Sequence, residues 1–344
     1  MDFKNYLVPG KTGLLIGIGG VSMSPLAEVL HDAGLDIRGS DMAESSNTLT
    51  LRERGIPIHI GHSADNVTDD ISFVIRTAAV HDDNPEVHEA HRRGIPVFER
   101  TQAWGALMRG YQNALCISGT HGKTTTTSMC THIMMAAEKD PTVMIGGTLP
   151  LLKACHRVGK GNTIIMESCE YYNSFLALNP TIAVVLNIEA DHLDFFKDLE
   201  DIKHSFRCFA ERVPAETGTV IANYDDANTM DALRGIARKV ITFGLNAKAD
   251  VYAQNIVHRG SVSEFDIYHR GNYFARVTLH VPGIHNVRNA LAATAAAIVL
   301  GVSPNAVKYG LAGFEGAGRR FDFKGKFQGA DLYDDYAHHP SELS

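Results

Sequence analysis

Cysteine is scarce in the chain: five residues, at 116, 130, 155, 169 and 208, with no C-x-x-C spacing among them. An odd, dispersed set excludes a disulfide framework and a structural zinc site, and reads as cytosolic thiols. Blocks of basic residues are missing as well. Lys and Arg number 32 against 39 Asp and Glu, the net charge is −7, and the cations are scattered along the sequence. That leaves no electrostatic footprint for nucleic acid, and a small anionic ligand would need a local positive site. Long apolar runs are absent too: the longest, residues 290–302, is too short and Ala-rich to span a membrane. The first residues, Met1-Asp2-Phe3-Lys4-Asn5-Tyr6, lack the basic-then-apolar order of a signal peptide, so the expected location is the cytoplasm.

The 344 residues, 44% hydrophobic and 21% charged, have an ordinary globular composition and are enough for two domains or two and a fraction. The stretch around which they are organised is Gly119-Thr120-His121-Gly122-Lys123-Thr124-Thr125. It follows an apolar run, 114–117, that reads as a buried strand, and opens a helical segment over 128–137. Strand, glycine turn and helix N-terminus together form an anion site: unpaired backbone N–H groups and the helix dipole face a phosphate, Lys123 adds a point charge, and the Thr124 hydroxyl is suited to magnesium. The pattern G-x-x-x-x-G-K-[ST] is incomplete, because its first glycine would fall at Ile117. A Gly-Lys-Thr run that merely caps a helix is the alternative.

Upstream, residues 13–30 read as strand, glycine turn and helix, the opening of a dinucleotide-type βα unit. Gly17 and Gly19 fit G-x-G-x-x-G, Gly20 follows, and Ser22 holds the third glycine position. The next strand, 35–41, ends in Ser40-Asp41, where a ribose-binding carboxylate is expected. Further short strands at 56–60, 73–80 and 95–98, separated by polar helices such as 86–93, imply a parallel doubly wound sheet. A tight packing turn without ligand remains open for the glycines. Alone, this half suggests a nicotinamide-dependent dehydrogenase; a second, triphosphate-type site at 119 argues instead for an enzyme that joins a nucleotide-linked substrate to something else at the expense of ATP.

After the loop helix, apolar strands are expected at 142–148, 162–170 and 181–188. The second ends in Glu167-Ser168-Cys169-Glu170 and the third leads into Glu189-Ala190-Asp191-His192. Hard oxygen ligands at successive strand ends suit the magnesium of a bound triphosphate, although such carboxylates also cap helices. Residues 218–226 and 239–244 continue the sheet, and 251–256, 263–269 and 275–281 alternate like antiparallel strands with a turn at Gly271-Asn272. A helix to residue 300 then opens on Asn286 and Asn289, either as a helix cap or as amides facing an adenine edge.

Six motifs occur in order: Gly17-Ile18-Gly19-Gly20, G-T-H-G-K-T-T-T at 119–126, Asn187-Ile188-Glu189-Ala190-Asp191-His192, Gly283-Ile284-His285-Asn286-Val287-Arg288-Asn289, Gly318-Arg319-Arg320-Phe321 and Asp334-Asp335-Tyr336-Ala337-His338-His339-Pro340. With them the chain resembles the Mur ligases over essentially its whole length. The resemblance implies an α/β protein of three parts: a UDP-binding Rossmann-like domain (1–110), a central P-loop ATPase-like domain (111–316), and the start (317–344) of a C-terminal Rossmann-like, amino-acid-binding domain that is largely missing. It implies a ligase that uses ATP and Mg2+ to join L-alanine to UDP-N-acetylmuramate through an acyl phosphate. A murein tripeptide recycling ligase and a non-catalytic nucleotide-binding module are the alternatives.

Carried over, the resemblance gives Lys123 the β- and γ-phosphates, Thr124 and Glu170 one magnesium, and His192 a second. It gives Asn286 and Asn289 the adenine, Arg320 the phosphates, Asp335 the ATP ribose and Tyr336 the incoming alanine. Gly119, Thr120, His121, Gly122 and Thr125 complete the phosphate loop; Gly17, Gly19, Gly20 and Ser22 would hold the UDP diphosphate, with Ser40 and Asp41 near the uridine. Two departures stand out. Cys169 replaces the Asp of the E-A-D-E of most alanine-adding relatives, and position 207, where several Mur ligases carry a carbamylated lysine, is Arg, so that modification is not expected.

Overall fold

A computed structural model describes residues 2–77, 79–318 and 322–334; Arg320, Asp335 and Tyr336 lie outside them. The chain divides into two compact units, Met1–Gly110 and Tyr111–Ser344.

The first unit carries five parallel strands, β1 (Thr12–Ile16), β2 (Asp36–Asp41), β3 (Ile58–Ile60), β4 (Ile71–Arg76) and β5 (Val97–Glu99), in the order β3-β2-β1-β4-β5. Central β1 is buried along its whole length, as a strand covered on both faces must be. Gly13 in β1 is dictated by packing: a Cβ there would stand 2.2 Å from the ring of Phe73. Helices α1 (Ser24–Asp32), α2 (Ser46–Glu53) and α3 (Pro85–Arg92) connect strands, and α4 (Arg100–Met108) follows β5. Their starts are chemically marked, α1 and α3 by proline in the first turn and α2 by a Ser45–Thr48 capping box. The strand expected to run to residue 80 stops at Arg76.

The second unit is built on ten strands: β6 (Asn113–Ser118), β7 (Thr142–Leu149), β8 (Ala154–Arg157), β9 (Thr163–Glu167), β10 (Ile182–Val185), β11 (Thr219–Asn223), β12 (Lys239–Gly244), β13 (Val251–Arg259), β14 (Val262–His269) and β15 (Asn272–Leu279), in the order β15-β14-β13-β12-β11-β10-β6-β9-β7-β8. Strands β6, β7 and β9 to β13 are mutually parallel, whereas β8 at one edge and the β13–β14–β15 meander at the other bring in antiparallel pairings. The turn before β15 is Arg270-Gly271, both with positive φ (50° and 80°), one residue earlier than expected. Helices α5 (Lys123–Ala136), α6 (Leu199–Glu211), α7 (Ala227–Ala232), α8 (Ile284–Val299) and α9 (Pro304–Ala312) complete the unit, and α5 packs against α8 and α9. Gly310 permits the α5–α9 approach, since a Cβ on it would meet Ile133 Cα at 2.5 Å. A hairpin, β16 (Asp322–Phe327) and β17 (Ala330–Asp334), ends the described chain.

The topology positions the site. Strand β6 lies between β9 and β10, all parallel, so the chain leaves it for both sides of the sheet and the crevice beyond its C-terminal end is a switch point.

Candidate active site

Beyond Ser118 the chain turns through Gly119-Thr120-His121-Gly122 directly into α5, whose helix begins at Lys123 rather than near 128. Two backbone conformations demand glycine: φ is 145° at Gly119 and 83° at Gly122. A Cβ would also lie 2.8 Å from Leu186 Cβ at the first and 2.6 Å from Asn289 Oδ1 at the second.

The loop is zipped to the end of β10. Thr120 N–H donates to the Asn187 carbonyl at 3.1 Å, His121 N–H to Asn187 Oδ1 at 2.7 Å, and Glu189 N–H to Thr120 Oγ1 at 2.9 Å. Asn187 Nδ2 completes the grip by donating to the His121 carbonyl at 3.1 Å. Behind it, Asn223 and Asn228 donate to the carbonyls of Leu186 and Ile188, while Asp226 accepts from Ile188 N–H. The first-turn N–H groups of α5 are thereby held around one point, the arrangement that binds a phosphate.

Charge converges there from neighbouring strand ends. Lys123 Nζ donates to the carbonyls of Gly119 at 2.5 Å and Thr120 at 3.1 Å, and meets Glu170 Oε2 at 3.0 Å. Both partners are sequestered, with side chains 15% and 3% exposed. Thr124 Oγ1 donates to Glu167 Oε1 at 3.0 Å, and Glu167 Oε2 accepts from Gly146 N–H at 2.6 Å. From the β10 side, His192, in the left-handed region at φ 53°, places Nε2 3.9 Å from Glu170 Oε1 and 3.8 Å from Asp191 Oδ2. Cys169 carries an open surface, yet burial of its surroundings, reinforced by the Glu170 carboxylate, raises its thiol above the ordinary range.

On α8, Asn289 Nδ2 donates to Asn286 Oδ1 at 3.2 Å and Asn286 Nδ2 to the Pro282 carbonyl at 2.6 Å. Asn286 is not a helix cap: Gly283 occupies that position, without a side-chain cap. The pair abuts the loop through the Asn289–Gly122 approach.

In the first unit the glycine turn follows β1. Gly17 and Ile18 N–H groups donate to the Ser40 carbonyl at 2.8 and 3.0 Å, Gly19 N–H donates to Asp41 Oδ2 at 2.8 Å, and Asn47 Nδ2 donates to the Gly19 carbonyl at 2.8 Å. A cavity of about 640 Å³ opens here, lined by Gly17, Gly19, Gly20, Asp41 and His62 among others. Ser40 is fully buried; its hydroxyl donates to Glu86 Oε2 at 2.7 Å, and so faces a carboxylate rather than the cavity. Ser22 Oγ accepts from Arg100, which brings a cation to the turn.

A geometry of two nucleotide-type turns has a counterpart among known proteins. The "Mur ligase family, catalytic domain" pattern matches residues 15–112, and the "Mur ligase middle domain" pattern matches residues 117–297. The chain belongs to the Mur ligase family. Similar proteins include the UDP-N-acetylmuramate–L-alanine ligase of Agathobacter rectalis, 46% identical over 95% of this chain and 72% of that one. The enzyme of the same name from Clostridium novyi is 45% identical over 100% of this chain and 74% of its own length. Among solved structures, UDP-N-acetylmuramate-alanine ligase MurC of Thermotoga maritima aligns with a TM-score of 0.79 at 31% identity, covering 96% of this chain and 75% of that chain. UDP-N-acetylmuramate:L-alanyl-gamma-D-glutamyl-meso-diaminopimelate ligase from Neisseria meningitides also aligns at 0.79, with 26% identity, over 89% of this chain and 99% of that chain.

Within this Mur ligase the expected loop, Lys123, Thr124, Glu170, His192, Asn286 and Asn289 all fall in the second unit, at or beside the β6 end. Gly17, Gly19, Gly20, Ser22, Ser40 and Asp41 fall in the first. Three structural partners escaped sequence reasoning: Glu167 as acceptor for Thr124, Asn187 as the loop clamp, and Arg100 at the glycine turn. Asn187 opens a motif already singled out, and Glu167 is a carboxylate at a strand end; Arg100 has no local signature. Among the described residues no group of three or more His, Cys, Asp or Glu could hold a metal, and no helix is long and apolar enough to cross a membrane.

Proposed function

We propose that the chain is an ATP-dependent ligase that joins the amine of L-alanine to the carboxylate of UDP-N-acetylmuramate through an acyl phosphate. The observation that carries this reading is the loop after β6, whose glycines, half-buried Lys123 and helix N-terminus form a phosphate cradle in a chain about 45% identical to enzymes of that name.

A carboxylate is a poor electrophile, and transfer of the γ-phosphoryl group turns one of its oxygens into a leaving group. Two anions must then be brought together, so the site's task is positioning and charge neutralisation. Lys123 supplies a cation that exchanges the loop carbonyls of Gly119 and Thr120 for β- and γ-phosphate oxygens. Residues Gly119 to Thr125 offer backbone donors to the same phosphates, and Asn286 and Asn289 offer amides to the adenine. Ser22, Asp41 and the Gly17–Gly20 turn hold the UDP moiety, with Arg100 offsetting its diphosphate.

The donor set fits magnesium: the Thr124 hydroxyl and the Glu167 and Glu170 carboxylates are hard oxygens, and Glu170 is 2% exposed. Thr124 and Glu170 would hold one ion and His192 would serve a second, with phosphate oxygens filling the remaining positions. When bound, the ion neutralises charge developing on the transferred phosphoryl group.

The test is product formation from UDP-N-acetylmuramate, ATP and L-alanine, followed by mass spectrometry and phosphate release. A UDP-N-acetylmuramoyl-alanine product that disappears with Lys123→Met supports the reading. Turnover with the intact tripeptide and none with L-alanine would assign the chain to recycling instead, and nucleotide binding without either product would leave a binding module.

A further inference from the structure

The residue after Glu170 is Tyr171, and no motif gives it a role. Its ring stacks on the His192 imidazole, with centroids 4.3 Å apart and planes inclined by 23°. Its hydroxyl donates to Asp194 Oδ2 at 2.5 Å, and Phe195 meets it edge-on at 6.2 Å. The backbone around this contact is built to produce it. Tyr172 and Asn173 both take left-handed conformations (φ 53° and 54°), and Asn173 Oδ1 accepts from the Ser205 hydroxyl of α6, fixing the bend that follows Glu170. His192 is itself left-handed, and its carbonyl accepts from the N–H groups of Phe195 and Phe196, both at 2.9 Å. Left-handed backbone at three residues with side chains costs on the order of 1 kcal/mol or more each, and persists where surrounding contacts over-determine it.

We propose that Tyr171 is a positioning residue for His192: it holds the imidazole plane so that Nε2 faces Glu170, tying the end of β9 to the segment after β10. The inference rests on the ligase reading, in which His192 serves the metal–nucleotide complex. Without the wall of Tyr171, a histidine side chain 29% exposed would be free to turn toward solvent. The Asp194 hydrogen bond locks Tyr171 in turn, in the way outer partners orient groups at metal sites.

The experiment uses the 344-residue chain with carbon-13-labelled histidine and manganese–ATP as probe. The His192 ring protons are expected upfield in the parent protein and in Tyr171→Phe, which keeps the stack, and at ordinary positions in Tyr171→Ala. Affinity for manganese–ATP, read by electron paramagnetic resonance, is expected to fall about 10-fold in Tyr171→Ala and to stay near the parent in Tyr171→Phe. In a His192→Ala background, Tyr171→Ala is expected to add nothing, because it acts through the imidazole. Unchanged ring shifts or affinity in Tyr171→Ala, or a loss that persists in the His192→Ala background, would overturn the proposal. Failure of the parent chain to bind manganese–ATP would instead overturn the ligase reading beneath it.

Discussion

Asn187 grips the backbone of His121 from both sides, its Oδ1 accepting from the N–H at 2.7 Å and its Nδ2 donating to the carbonyl at 3.1 Å. An amide is the one neutral side chain that offers acceptor and donor in this register. Asn187→Asp keeps the acceptor and loses the donor, setting a carboxylate against the His121 carbonyl beside the proposed phosphate site. ATP affinity is expected to drop by about 10-fold or more, as befits 1–3 kcal/mol for a buried polar group left unpaired. Isothermal titration of both forms measures it, and equal affinities would refute the clamp.

Gly122 stands against Asn289, and both its conformation and its surroundings exclude a side chain. Gly122→Ala puts a Cβ 2.6 Å from Asn289 Oδ1 at φ 83°. Either the loop or the amide must move. Nucleotide binding is expected to be lost while the sheet keeps its far-ultraviolet dichroism, and ATP titration with a circular dichroism control reads both.

The Lys123–Glu170 pair couples stability to function. Lys123→Met leaves a carboxylate 2% exposed without its cation, and the cost is expected to be about 3 kcal/mol in urea unfolding. Adding Glu170→Gln removes the stranded charge, so the double variant is expected to regain much of that stability and still fail to bind ATP. A double variant no more stable than Lys123→Met would mean that the pair is not held as described.

The architecture was legible because hydrophobic patterning and glycine turns report it locally: apolar runs gave the parallel strands, and Gly17-Ile18-Gly19 and Gly119 to Lys123 marked the two βα turns. Ends were less legible. Strand β4 ends at Arg76 although the apolar pattern of the sequence runs on to Val80, and α5 begins at Lys123 because Gly122 takes a left-handed conformation that composition does not display. Pairings across sequence distance were out of reach. Nothing near Ser40 tells that its hydroxyl is spent on Glu86, 46 residues away, and Thr124 finds Glu167 43 residues on, only because β6 and β9 are neighbours. Arg207 illustrates the same limit: its Nη1 donates to the carbonyls of Ala232 and Arg234, a supporting role for α7 that sequence spacing could not assign.

His132, on the helix that follows the Gly119–Gly122 loop, makes stability depend on pH. Its ring meets Phe314 edge-on at 5.5 Å, and burial lowers its ionisation from 6.5 to about 4. The folded protein therefore holds this histidine neutral where the unfolded chain already binds a proton. Its stabilising contribution is complete above pH 6.5 and is lost as pH falls through 4, with an upper size on the order of 3 kcal/mol. His132→Gln removes the titration. Between pH 7.5 and 4.5 the urea midpoint of the parent is expected to fall further than that of the variant, and parallel losses would place the acid sensitivity elsewhere.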